Sequence, residues 1–260
     1  MDVHRDFLIA CIAATNAQGV TEYQSRRFST YTGSLRELRD WLLANDCKDV
    51  CMESTGKYWF PVHNILEESC HVVVSHPKFV KAIKGKKTDK KDAQWIADLF
   101  KHDLVRGSFI PPKDIRQLRD LCRYWVKLSS YMTGEKNRAQ NCLTVSNFKL
   151  DDVFSNVFGK SASAITTQLL EHPGEQFDVA PFVDGRCKTP IAQIQEAVDG
   201  IFTYEQAEKL KIIRGHMDSL ERHKAELESL ILEIAQNYLP QIELLLTVPG
   251  IHDAFTAIRI

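Results

Sequence analysis

The chain has 260 residues, 44% of them apolar and 26% charged, with 33 Lys and Arg against 34 Asp and Glu. That length can bury a sizeable core in one or two domains of roughly 100–200 residues each, and the composition rules out disordered, collagenous and mucin-like chains. The formal net charge of −1 conceals an uneven distribution. Residues 1–75 hold 7 basic and 10 acidic side chains, residues 76–138 hold 16 and 7, and residues 139–260 hold 10 and 17, giving balances of −3, +9 and −7. The positive block is the electrostatic footprint expected of a protein that meets a phosphate backbone, although a solvated, Lys-rich helical face fits the same count. Seven cysteines are scattered without a CxxC pair, which suits reduced thiols in a cytosolic compartment better than a disulfide frame or a metal site. No apolar run of 18 residues exists, and Asp2, His4, Arg5 and Asp6 interrupt any signal-like start, so an intracellular, soluble protein with no membrane partner is expected.

In chain order, DVHRDFLIACIAAT reads as one β-rich apolar strand, NAQG as a turn, and VTEYQSRRFST as a second strand paired with the first. SLRELRDWLLAND predicts a helix with Ser34 as N-cap and Leu35, Leu38, Leu42 and Leu43 on one face. KDVCMEST is a short buried strand, Gly56 a turn, and KYWFPVHNILEES a helix. HVVVS is a fully apolar strand of the type found at the centre of a sheet covered on both faces. The order ββ-α-β-α-β is that of a mixed-sheet, three-layer α/β domain over about residues 1–110. After Pro111 and Pro112 the pattern becomes helical, with a helical linker and coiled-coil region over 111–245. Within it Leu118, Leu121, Trp125, Leu128 and Met132 form an apolar stripe, while Arg116, Arg119, Arg123 and Lys127 form a separate basic one. Residues 150–200 are less regular. Ile213, Met217, Leu220, Leu227, Ile231 and Ile234 then follow heptad-like spacing, interrupted by Lys224, and predict a helix that pairs with the 114–145 helix or with another subunit.

Four acids stand out by placement: Asp2 at the opening of the first strand, Glu53 at the end of the KDVCME strand, and Asp89 and Asp92 in KGKKTDKKDAQWIADLF. Asp89, Asp92, Ile96 and Leu99 share one helical stripe, so a helix that docks its apolar residues on the sheet turns both carboxylates the same way. Carboxylates so placed are costly unless paired or bound to a cation. Lys84, Lys86, Lys87, Lys90 and Lys91 surround them and offer salt-bridge neutralisation as the plain alternative. An oxygen-rich cluster of this kind suits Mg²⁺ or Mn²⁺, and such ions promote phosphodiester chemistry by activating a nucleophile and steadying a leaving oxygen. Flanking lysines fit a polyanionic substrate.

MDVHRD, ESTGKYW and KTDKKDAQWIADL, in this order, resemble the three signature blocks of the DEDD transposases of insertion sequences. VFSNVFGKSASAITTQLL and LLLTVPGIHDAFTAI resemble that family's linker and the opening of its C-terminal transposase domain, here residues 246–260. The resemblance implies an RNase H-like (Holliday-junction-resolvase-like) domain followed by an α-helical coiled-coil region. It also implies a DNA recombinase with a metal-binding and catalytic tetrad of Asp2, Glu53, Asp89 and Asp92, requiring Mg²⁺ or Mn²⁺. The implied partners are DNA, a structured guide RNA, and a second copy of the chain through the coiled coil. The implied setting is the cytoplasm of a bacterial or archaeal cell, at the nucleoid. In the family a serine beyond the PGI turn is the nucleophile, so a chain ending at Ile260 is expected to be a truncated product or an excised domain. PGIH stands where a helix-hairpin-helix clamp has PGIG.

Lys57, Lys78, Lys81, Lys84, Lys86, Lys87, Lys90, Lys91, Arg116, Arg119, Arg123 and Lys127 are the expected nucleic-acid contacts, with Tyr58 and Trp59 available either for stacking or for the core. His4, His63, His71 and His76 form no HxxxH set and read as surface or packed side chains. Ser54 and Thr55 lack the glycines of a nucleophile elbow, and Lys84-Gly85-Lys86 is no Walker motif. Two other functions remain open on the residues: a non-catalytic, dimerising nucleic-acid-binding fragment, and an actin-like or sugar-kinase-like ATPase. The latter needs a glycine after the first-strand Asp, where Val3-His4-Arg5 stands.

Overall fold

Polar residues His4, Arg5 and Asp6 break the N-terminal apolar stretch into a hairpin instead of one strand. The computed structural model describes residues 1–80 and 88–259. In it β1 (Asp2–Val3) turns back through a bond from His4 N–H to Phe7 O (2.9 Å) into β2 (Phe7–Thr15), which pairs with β3 (Thr21–Ser29). All three strands are antiparallel in the order β1-β2-β3, with Asp2 opposite Ile9 and Val3 opposite Leu8. Helix α1 (Thr32–Ala44), β4 (Asp49–Glu53), α2 (Trp59–Leu66), β5 (His71–Ser75), α3 (Pro77–Val80) and α4 (Asp89–Lys101) follow. β4 and β5 are parallel, and the Met1 ammonium donates to Cys51 O (2.6 Å), which sets β1 beside β4. By their contacts, residues Met1–Pro111 form one compact unit and Pro112–Ile260 a second.

Strand alternation sorts the first unit into layers. Val3, Leu8, Ala10, Ile12, Val50, Met52 and Val74 join Leu35, Leu38, Trp41 and Leu42 of α1 and Trp59, Val62 and Leu66 of α2 in one core. The intervening Cys51 and Val73 face the other way, against Ile96, Leu99 and Phe100 of α4. Each fully buried Leu or Ile in these layers contributes about 1.5–3 kcal/mol relative to exposure. Three local expectations change. Tyr31, not Ser34, is the residue that caps α1, without a side-chain bond; the Ser34 hydroxyl instead accepts from Ser29 N–H (3.1 Å). Trp41 takes the buried position expected of Leu43, which is 37% exposed. β5 is not central among the described residues: beyond β4 its other side meets a single bridge at Gly107, where Ser108 N–H donates to Val74 O (2.7 Å).

The second unit is helical: α5 (Lys113–Val145), α6 (Leu150–Val153), α7 (Lys160–Glu171), α8 (Ile191–Ala197), α9 (Tyr204–Ala235), α10 (Leu239–Leu246) and α11 (Ala254–Arg259). α5 and α9 form an antiparallel hairpin. At one end Ala139, Cys142 and Leu143 share a core with Ala207, Leu210 and Ile213, and at the other Leu118 and Cys122 meet Ile231 and Ala235. The α9 seam is therefore filled by α5 of the same chain. Lys224, which breaks the heptad, lies over the Trp125 ring (4.2 Å) while Trp125 Nε1–H donates to Glu228 (2.8 Å). Ile251, Phe255 and Ala257, in the stretch expected to open a further domain, pack into the core at the Leu118 end of this hairpin.

Candidate metal centre

The same alternation that buries Met1 and Val3 beneath α1 and α2 turns Asp2 to the face covered by α4, and the parity of Cys51 turns Glu53 to that face too. α4 lies across β1, β2, β3 and β4 and begins where Thr88 caps it, its Oγ1 accepting from Lys91 N–H (3.3 Å). Asp89 and Asp92 stand in its first turn, where the helix dipole favours negative charge. Ala93 and Ile96 are buried on the side that docks.

Among the described residues, one set of side chains offers donor atoms close enough for a shared cation: Asp2, His4 and Asp89, all within 4.8 Å of one another. His4 Nε2 lies 3.1 Å from Asp2 Oδ2 and 3.8 Å from Asp89 Oδ1. Asp2 is 9% exposed. Burial pushes its carboxyl pKa up, the His4 charge and hydrogen bond pull it down, and the nearby Asp89 carboxylate raises it again. A carboxylate short of water, beside a second carboxylate and an imidazole nitrogen, is a donor set that suits a divalent cation. The structure thus brings Asp2 and Asp89 together. Glu53, half-buried with Oε1 accepting from Thr55 Oγ1–H (3.1 Å), and Asp92, also half-buried, lie on the same side but outside that set.

His4, expected from the sequence as a surface or packed side chain, is half-buried beside Asp2 and Asp89. It stands just past β1, in the turn that leads to β2, which brings its ring back beside Asp2. The other histidines behave as expected of surface or packed groups: His63 is buried 3.4 Å from Glu67, His71 meets Asp49 at 3.0 Å on the surface, and His76 Nδ1 accepts from Lys78 N–H.

Of the expected nucleic-acid contacts, Lys57, Lys78, Lys90 and Lys91 are exposed in the first unit, and the ion pairs of Asp2 and Asp89 run to His4, not to Lys90 or Lys91. Lys81, Lys84, Lys86 and Lys87 lie outside the described residues. Trp59 is a core residue, 8% exposed and stacked on Phe60, which removes it from any stacking role, whereas Tyr58 is 42% exposed. In the second unit Arg119, Arg123 and Lys127 are exposed and Arg116 is half-buried, on the side of α5 opposite Leu118 and Cys122. Tyr124 and Tyr131 flank this stripe, with Lys127 Nζ 5.2 Å from the Tyr131 ring.

A family model described as a transposase, of the DEDD type of IS110 elements, matches residues 1–147. No curated protein matches the chain. No described helix is long and apolar enough to cross a membrane.

Proposed function

The chain belongs to the IS110-type DEDD transposase family and is a DNA-processing transposase; from that we propose that it is a divalent-metal-dependent recombinase whose first unit is an RNase H-like catalytic domain over residues 1–110. What supports the fold assignment is the strand succession β3-β2-β1, with β4 and β5 continuing from β1 through the Met1–Cys51 bond. The catalytic and metal-holding groups are Asp2, Glu53, Asp89 and Asp92. The observation that carries this is the strand parity that turns Asp2 and Glu53 toward the helix whose first turn bears Asp89 and Asp92.

Mg²⁺ or Mn²⁺ held by these carboxylates would neutralise charge on a phosphodiester and activate its attacking oxygen. The protein's own contribution is positioning. Burial leaves Asp2 poorly hydrated, so its carboxylate gains more from a cation than from water, and the α4 N-terminus orients Asp89 and Asp92 without cost to the helix. Lys57, Lys78, Lys90 and Lys91, with the α5 stripe of Arg116, Arg119, Arg123 and Lys127, would hold the DNA backbone through charge, without reading sequence. The structured guide RNA, and a homo-oligomer formed through the α5–α9 region, belong to this reading by family resemblance. So does cytoplasmic action at the nucleoid.

Calorimetric titration of Mg²⁺ and Mn²⁺ into the Asp89→Ala, Asp92→Ala double variant tests the site. Binding should vanish while the circular dichroism spectrum stays that of the parent protein. Unchanged affinity would remove these aspartates from the centre. Salt-dependent DNA binding by the parent protein with no metal uptake would favour a non-catalytic binding fragment instead.

A further inference from the structure

The donor set that the fold assembles is not made of carboxylates alone. His4 stands in the turn of the β1–β2 hairpin, its main-chain N–H bonded to Phe7 O (2.9 Å), and its ring lies against the Phe7 ring with centroids 4.7 Å apart. Phe7 is itself covered on one side by the Arg27 guanidinium, 4.0 Å from its centroid. These contacts hold the imidazole so that Nε2 sits between Asp2 and Asp89. Two donors that share an ion at about 2.0–2.2 Å each cannot be more than about 4.4 Å apart. The 3.1 Å from Nε2 to Asp2 Oδ2 and the 3.8 Å to Asp89 Oδ1 both meet that condition, and the Asp2 and Asp89 donors lie within 4.8 Å of each other.

We propose that His4 is a direct ligand of the metal, making this an Asp2–His4–Asp89 nitrogen–oxygen site that prefers Mn²⁺ to Mg²⁺. The proposal rests on the metal-dependent reading above and deepens it by naming a donor and the cation it selects. Mg²⁺ is a hard ion that takes oxygen ligands in a strict octahedron and keeps much of its water, so an imidazole adds little to its binding. Imidazole nitrogen is a softer donor than a carboxylate oxygen and adds more to the binding of a first-row transition ion than to that of Mg²⁺, with Mn²⁺ the weakest binder of that series. A half-buried ring held by Phe7 also loses little freedom on coordination.

Electron spin-echo EPR on the full chain loaded with Mn²⁺ alone tests this directly, with calorimetry for Mn²⁺ and for Mg²⁺ beside it. The parent protein should show nitrogen hyperfine coupling to the bound Mn²⁺, and His4→Ala should lose it. His4→Ala should also weaken Mn²⁺ binding by about tenfold to a hundredfold, as loss of an oriented ligand does, while Mg²⁺ affinity stays within about threefold. Should His4→Ala fail to fold, the parent spectrum still decides, and His4→Gln provides the second variant. Bound Mn²⁺ without nitrogen coupling would overturn the His4 assignment and leave the carboxylate site standing. Failure of the parent protein to bind Mn²⁺ at all would instead overturn the metal-dependent reading on which it rests.

Discussion

Asp2 occupies its position because Met1 and Val3 are buried beneath α1 and α2, and His4, in the turn that follows, lies 3.1 Å from it. The sequence marks the acids by their placement, at the opening of one strand, at the end of another and in KTDKKDA. It does not show that HRD makes a turn, because the apolar residues on either side make one long strand an equally good local solution, and only the pairing of Asp2 with Ile9 settles it. His4 lies in that turn, its main-chain N–H bonded to Phe7 O (2.9 Å) and its ring beside Asp2. Other single positions are set by close approach. Gly200 is such a case, since a Cβ there would sit 2.5 Å from Ser146 O and 2.8 Å from Phe148 Cδ1. Phe148 is 2% exposed and the Ser146 carbonyl already accepts from Ile201 N–H (3.0 Å), so neither has room to yield. Gly200→Ala should therefore destabilise by about 1–3 kcal/mol through overpacking, read as a lower urea midpoint with an unchanged slope.

Among the elements, α4 and α5 carry the functional argument. The α4 stripe of Asp89, Asp92, Ile96 and Leu99 was readable from spacing, and the docked helix places Ile96 in the core with the aspartates at its cap. β5 was misjudged as central because an unbroken valine run speaks of burial and not of the number of hydrogen-bonded neighbours; Val72 and Val73 are only half-buried. In α5 the apolar and basic stripes were both visible, and the structure puts them on opposite sides, with the aromatic flank of Tyr124 and Tyr131 beside the basic one. If that stripe meets phosphates, each arginine removed releases one fewer counterion on binding. Arg119→Ala with Arg123→Ala should then lower the slope of log affinity against log salt by about 0.9 per side chain lost, uniformly across DNA sequences. An unchanged slope would take α5 out of the interface.

For the whole chain, the near-zero net charge conveys less than its distribution: Asp89 and Asp92 and most of the basic residues proposed to meet DNA fall within the one segment of balance +9, while Asp2 and Glu53 lie in the segment of balance −3. Near Pro111 an alternating apolar pattern gives way to helical periodicity, and by their contacts Met1–Pro111 and Pro112–Ile260 are two compact units. Of the two partners the heptad allowed, one within the chain and one from another subunit, α5 of the same chain packs along the α9 seam. A divalent cation at the proposed centre would relieve a charge that the fold otherwise holds unfavourably. Burial raises the pKa of Asp2. The fold therefore favours the protonated acid, and its contribution to stability, full below the usual carboxylate range, is lost as pH rises through the elevated folded value. At neutral pH the ionised group costs the protein stability until a cation binds. The direct measurement is thermal unfolding of parent and Asp2→Asn proteins at pH 7, with and without Mn²⁺ at about a hundred times its dissociation constant. The parent should gain about 2.7 kcal/mol from the ion, and Asp2→Asn should gain nothing while being no less stable than the parent without metal. Equal stabilisation of both proteins, or none of either, would contradict a metal centre at Asp2.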